Sequence, residues 1–135
     1  MTEADQFLYQ QLEAEVQPGE RIQHTAYVTE TPPWSYLFVI LPGLLTRAYF
    51  AVLTDRRLLL IKTRVGVGSV VCENLGVQRI ERSAIREVTG GKRLMRVRLQ
   101  DGGTRRFFAR SPKAVSGTLE FFAYMPSRFG VTSAT

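Results

Sequence analysis

The sequence predicts an α+β domain that is mainly β: short antiparallel strands closed by a C-terminal helix, with an extra helix at the N-terminus. Three features carry that expectation. Residues 47–62 are two apolar, β-prone runs flanking Thr54-Asp55-Arg56, which suits a tight turn. A second hairpin pairs Arg93–Gln100 with Thr104–Arg110 through Asp101-Gly102-Gly103, a strong turn signal. Directly after it, Ser111-Pro112 supplies an N-cap and a proline at the first helical position.

The elements follow in order. Residues 3–16 have the pattern of an amphipathic helix, with Thr2 as cap and Asp5 at the capping-box position. Its apolar stripe is Leu8, Leu12 and Val16, with Phe7 alongside. Gln17-Pro18-Gly19 stops it, and Arg21–Thr29 alternates weakly, as a first strand does. After the 47–62 hairpin, Val65–Ser69 is a connector. Val70–Cys72, Gln78–Glu81 and Ala84–Val88 are short strands. The last helix spans 112–125, with Val115, Leu119 and Phe122 on one stripe and Met125-Pro126 as its end. This divides the chain into a helix over 1–17, a domain over 18–128 and a loose tail over 129–135. Such an order suits a partly open barrel or sandwich plugged by its final helix, and periodicity does not separate this from other α+β barrels.

Composition sets the bounds. The 135 residues make one domain with a core of its own, and a 44% hydrophobic fraction argues against wholesale disorder. The lone Cys72 excludes an intramolecular disulfide and a cysteine-built metal site, and it fits a reducing cytosol. Residues 1–16 carry acids where a signal peptide needs bases and then an apolar run. Charge is unevenly placed. Residues 1–30 hold Glu3, Asp5, Glu13, Glu15, Glu20 and Glu30 against Arg21 alone, while the rest carries the arginine excess behind the net +6. That asymmetry points either to an acidic partner or to arginine as the preferred solvated residue, at 15 Arg to 3 Lys.

Pro18-Gly19-Glu20, Leu53-Thr54-Asp55-Arg56-Arg57-Leu58 and Arg79-Ile80-Glu81-Arg82-Ser83-Ala84-Ile85 together resemble bacterial pleckstrin-homology-like and GRAM-type domains, over roughly residues 18–125. The resemblance implies a PH-like antiparallel barrel of about seven strands capped by its C-terminal helix, with a binding rather than a chemical role. It also implies that the arginine of the central motif tends to be structural. Related bacterial domains form homo-oligomers, so Phe7, Leu8, Leu12 and Val16 are candidate oligomer-interface residues. One departure stands out: residues 31–46 are longer and more apolar than a typical polar loop.

That loop supplies the first candidate site. Trp34, Tyr36, Leu37 and Phe38 open a run to Leu45 that serves either as a buried strand or plug, or as a wedge entering a membrane interface or a partner's groove. Pro42-Gly43 and Arg47 interrupt it, which argues against a transmembrane helix. The second candidate is an arginine face on the last hairpin. Arg96 and Arg98 point away from Met95, Val97 and Leu99, joined by Arg106 and Arg110 in one register or by Arg105 in the other. A three-residue loop favours the first. Guanidinium groups there suit phosphate or carboxylate, or else form an ordinary wet face. Arg47, Arg56 and Arg57, with Lys62 and Arg64, are further bases near the first hairpin.

Enzyme readings find little. His24 is the single histidine, Gly66-x-Gly68 lacks the rest of a phosphate loop, and Glu13 and Glu15 do not face each other on a helix. No cofactor, metal or small-molecule substrate is expected. Nucleic acid fits Arg105, Arg106, Phe107 and Phe108 poorly, because one of the adjacent phenylalanines must face the core. The expectation is a non-catalytic binding module, cytoplasmic and peripheral to the inner face of a membrane through anionic lipid. The alternative is an oligomerising or protein-interaction scaffold.

Overall fold

Where a strand is covered on both faces, its sequence loses polar alternation and becomes continuously apolar. Residues 48–53 and 58–61 do this, and the structure gives the reason. The computed structural model describes residues 2–30, 47–65, 70–109 and 111–129. Helix α1 (Glu3–Glu15) precedes β1 (Ile22–Glu30), β2 (Arg47–Thr54), β3 (Arg57–Thr63) and β4 (Val77–Glu81). A 3-10 turn (Arg82–Ala84) leads to β5 (Ile85–Gly90), β6 (Leu94–Leu99), β7 (Thr104–Phe108) and α2 (Thr118–Phe129). The strands form one antiparallel sheet in the order β4-β3-β2-β1-β7-β6-β5, open between its edges β4 and β5. This is the PH-like, mainly β architecture expected.

One face of the sheet wraps a first core. Ala26, Val28, Tyr49, Ala51, Leu53, Leu58 and Leu60 meet Val88, Met95, Val97 and Phe107 there, and Phe121, Phe122 and Met125 of α2 fill the middle. The opposite face of β1–β3 carries a second core. Tyr27, Ala48, Phe50, Val52, Leu59 and Ile61 pack under Ala4, Leu8 and Leu12 of α1. Alternate residues of β2 and β3 therefore serve alternate cores, and almost every one is buried.

The N-terminal helix is fixed at both ends. Its capping box is as expected: the Asp5 N–H donates to Thr2 Oγ1, and the Thr2 N–H donates to Asp5 Oδ2, each at 3.0 Å. Asp5 also accepts from the Ser116 N–H and hydroxyl, both at 2.9 Å, tying the helix to the lead-in of α2. These hydrogen bonds outweigh burial and hold the Asp5 carboxyl below its usual range.

Among the described residues the shortest ladder of the sheet joins β1 and β7, paired at Thr29↔Phe108 and Glu30↔Phe107. Farther along, side chains replace the ladder: the Tyr27 N–H donates to Thr118 Oγ1 (3.2 Å) and Thr25 Oγ1 donates to the Ser116 carbonyl (3.1 Å). Arg105 braces the seam from within. Its Nε and Nη2 pair with both oxygens of Glu30 (2.9 and 2.8 Å), its Nη1 reaches Gln78 on β4 (2.8 Å), and the guanidinium lies over Tyr49 and Phe107.

Three expectations need correction. Val70–Cys72 is not a strand, because β3 already has β4 along its outer edge (Leu60↔Gln78, Ile61↔Val77); Val70 and Cys72 instead pack on the second core. The final helix starts at Thr118, not at Pro112. Gly117 (φ +90°) breaks the path, in a conformation that L side chains rarely adopt, and a Cβ there would meet the Thr25 carbonyl at 3.3 Å. Its buried stripe is accordingly Thr118, Phe121, Phe122 and Met125, with Leu119 exposed and Val115 in the other core; the helix runs past Pro126 to Phe129. Finally, the α1 stripe is not left exposed outside the sheet: Leu8 (2% exposed) and Leu12 (3%) are buried on it, with Phe7 and Val16 packed beside them. The expectations for residues 129–135 fall, apart from Phe129, outside the described residues, as does most of the 65–69 connector.

Burial of this kind has a measurable cost when removed. Leu12→Ala should destabilise the protein by about 2–5 kcal/mol, as for large-to-small core substitutions generally, in a denaturant melt with unchanged slope. A cost below about 0.5 kcal/mol, the level of an ordinary surface change, would mean that α1 is not packed on the sheet.

Candidate functional site

The turn at Asp101-Gly102-Gly103 sets which arginines share a face. The Gly102 N–H donates to the Leu99 carbonyl (3.0 Å), the Leu99 N–H donates to the Gly103 carbonyl (2.8 Å), and Gly102 has φ +93°. Three residues, 100–102, thus close the loop with glycine in the left-handed region. The resulting register pairs Arg96 with Arg106 and Arg98 with Thr104, which is the first of the two arrangements expected. Met95, Val97 and Phe107 point into the first core, so Leu94, Arg96, Arg98, Thr104, Arg106 and Phe108 stand on the opposite face.

That outward face is concave. One hollow of about 310 Å³ is lined by Thr89, Gly90, Leu94, Arg96, Arg106 and Phe108. A second, of about 240 Å³, is lined by Arg96, Arg98, Thr104 and Arg106. Arg96 and Arg106 belong to both, and among the described residues neither hollow has a carboxylate in its lining. Arg98 is engaged by Glu87 (2.8 Å). Among the described residues Arg96 and Arg106 have no ion-pair partner, and Arg106 Nε is buried without an acceptor. Leu94, 44% exposed, stands beside them. Thr89, Gly90 and Leu94 were not among the expected site residues. Leu94 was findable, because it precedes Arg96 by two in a strand; Thr89 and Gly90 enter only through the pairing of β5 with β6.

The other candidate bases lie elsewhere. Arg57 is inside: its Nε donates to Glu20 Oε2 (2.9 Å), and its Nη2 donates to Glu20 Oε1 (3.0 Å) and to the Glu15 carbonyl (2.7 Å). Thr54 Oγ1 donates to Glu20 Oε2 at 2.6 Å. Arg57 is therefore the structural arginine that the resemblance implied, with no donor facing an external anion from these bonds. Arg56 is exposed and touches Gln17 (3.3 Å). Arg47 is exposed at the first residue of β2, so residues 47–54 alone, at roughly 3.3 Å per residue, separate it from Arg56 by about 23 Å. Asp55 bonds the Arg21 backbone in both directions at 3.0 Å. Trp34, Tyr36, Leu37 and Phe38 lie outside the described residues.

The N-terminal acids turn out to be stitching. Glu15 pairs with Arg79 (2.7 Å), Glu20 with Arg57 and Glu30 with Arg105, so much of the charge asymmetry is settled within the chain. His24 stacks on Tyr124 with ring centres 4.4 Å apart; burial lowers its pKa, with Glu120 opposing. Among the described residues no group of three His, Cys, Asp or Glu is placed to hold a metal ion, and no helix is long and apolar enough to cross a membrane.

Among solved structures, this chain is similar to the hSac2 domain from human phosphoinositide phosphatase Sac2, with a TM-score of 0.54 and 14% identity over 89% of this chain and 76% of that one. At that identity the likeness is one of fold. No family model and no curated protein matches the chain.

The buried pair sets an acid limit on stability. The hydrogen bond from Arg57, above all, pulls the Glu20 pKa from 4.5 to about 2, against the burial that opposes it. A depressed carboxylate pKa stabilises the fold above the unfolded value and ceases to do so as pH falls through the folded one. Stability should therefore drop between pH 4.5 and about 2, by on the order of 3 kcal/mol from this group. Glu20→Gln should be less stable at pH 7 by about 3–5 kcal/mol and have a flatter profile across that window. An unchanged acid profile in the variant would remove Glu20 as the cause.

Proposed function

We propose that this chain is a non-catalytic binding module, a cytoplasmic adaptor that docks peripherally on an anionic membrane surface. The observation that carries the reading is the outer face of β6 and β7, where Arg96 and Arg106, without an ion-pair partner among the described residues, stand beside the exposed Leu94. Peripheral attachment draws on two weak signals, an apolar anchor and nearby bases worth about 1 kcal/mol each. Both occur within one strand repeat here. The sequence adds a second apolar element in Trp34 to Leu45, and its neighbours approach the same strand: Glu30, the last described residue before it, is the partner of Phe107, one place from Arg106. The shared fold with a domain from a protein named as a phosphoinositide phosphatase is compatible with such a role.

Sedimentation with vesicles tests this. The protein should pellet with phosphatidylcholine vesicles containing phosphatidylglycerol, less so at high salt, and not with phosphatidylcholine alone. Arg96→Gln should weaken binding about fivefold, and so should Arg106→Gln, while Leu94→Ser should weaken it further. Trp34→Ser with Phe38→Ser tests the loop separately. A protein that ignores anionic vesicles at low salt is not a membrane adaptor, and the protein-interaction scaffold takes its place.

A further inference from the structure

Like charges directly opposite each other on neighbouring strands destabilise a sheet, and a buried donor without an acceptor costs more again. Arg96 and Arg106 do both at one spot. They are cross-strand partners, and Arg106 Nε is buried and unsatisfied. Other arginines in this protein are treated differently: Arg57, Arg64, Arg79, Arg98 and Arg105 each have a carboxylate at hydrogen-bonding distance. Among the described residues other arginines also lack an acid, and Arg56 and Arg82 bond neutral oxygens instead; Arg96 and Arg106 differ in facing each other across a strand pair with a buried, unsatisfied nitrogen, Arg106 Nε.

We infer that Arg96 and Arg106, with Thr104 and Thr89 at the rims of the two hollows they share, form a discrete site for a phosphomonoester group. This rests on the binding-module reading and deepens it. The two hollows adjoin at the arginine pair, so a group seated there lies between two guanidinium side chains at once. Charge selects among anions. A phosphate monoester carries about −1.5 to −2 at neutral pH, matching two uncompensated arginines, whereas a phosphodiester or carboxylate brings one charge and leaves the repulsion half relieved. Shape agrees: Leu94 and Phe108 line one side of the larger hollow, giving the group's organic substituent an apolar wall. The shared chemistry is the monoester, either on a lipid headgroup or on a small soluble molecule.

The experiment uses the full chain with four probes: inorganic phosphate, glycerol 3-phosphate, phosphatidic acid vesicles, and phosphatidylglycerol vesicles matched in surface charge. Saturable binding of the soluble monoesters, followed by amide shifts at residues 89, 96, 104 and 106, supports the site with a soluble source. Preference for phosphatidic acid over phosphatidylglycerol without soluble binding supports it with a lipid source. In either case Arg96→Gln and Arg106→Gln should each weaken binding about tenfold or more, and Arg128→Gln, an equal charge loss on α2, should not. The same two variants should melt no lower than the unsubstituted protein, since they relieve an unfavourable pair; this separates loss of the site from loss of the fold. Equal binding of both vesicle types with no soluble binding overturns the monoester site and leaves membrane docking standing. Binding to none of the four overturns both. Binding that survives in the Arg96→Gln, Arg106→Gln double variant overturns the location.

Discussion

The buried ion pair between Glu20 and Arg57 is the contact on which the arrangement of layers depends. It joins three pieces at one point: the end of α1 through the Glu15 carbonyl, the turn into β1 through Glu20, and the β2–β3 hairpin through Thr54 and Arg57. Two charges removed from water are tolerable only when every remaining donor and acceptor is used. Here the carboxylate is also met by the Gln17 N–H and the Thr54 hydroxyl, so it is fully engaged. With α1 held at its C-terminal end by this pair and at its N-terminal end by Asp5, the helix can lie only across β1–β3, and the second core follows from that.

Two-sided burial of β2 and β3 has a counterpart on β5–β7, whose outside no helix among the described residues covers. The same sheet therefore has an inner half closed from both faces and an outer half with one wet face. The wet half carries Arg96, Arg98 and Arg106, because a strand with one buried face must place its polar residues on the other. Fold and candidate site are in this sense a single consequence of where α1 stops.

Much of this was legible in the residues. Apolar runs around Thr54-Asp55-Arg56 and the glycines at 102 and 103 fixed both hairpins, since turn chemistry is local. The face of Arg96 and Arg106 could be chosen from loop length for the same reason. Two of the three pieces that carried the resemblance, Pro18-Gly19-Glu20 and Leu53–Leu58, prove to hold the two halves of the buried ion pair. What stayed hidden was long-range. Nothing near Pro112 reveals that Ser116 will be claimed by Asp5 and that Gly117 must turn against Thr25, so the helix start was misplaced by six residues. Nor does an amphipathic helix announce whether its stripe meets its own sheet or another copy.

The Asp5–Ser116 link also bears on how the chain is made. The two residues are 111 positions apart. At about 5–20 residues per second of synthesis, the first helix leaves the ribosome on the order of 10 s before its lock can form. Leu8 and Leu12 can settle on β2 and β3 well before then. Until residue 116 arrives, however, the N-terminal end of α1 lacks its lock, and the nascent protein passes through a stage in which this helix is hinged rather than fastened.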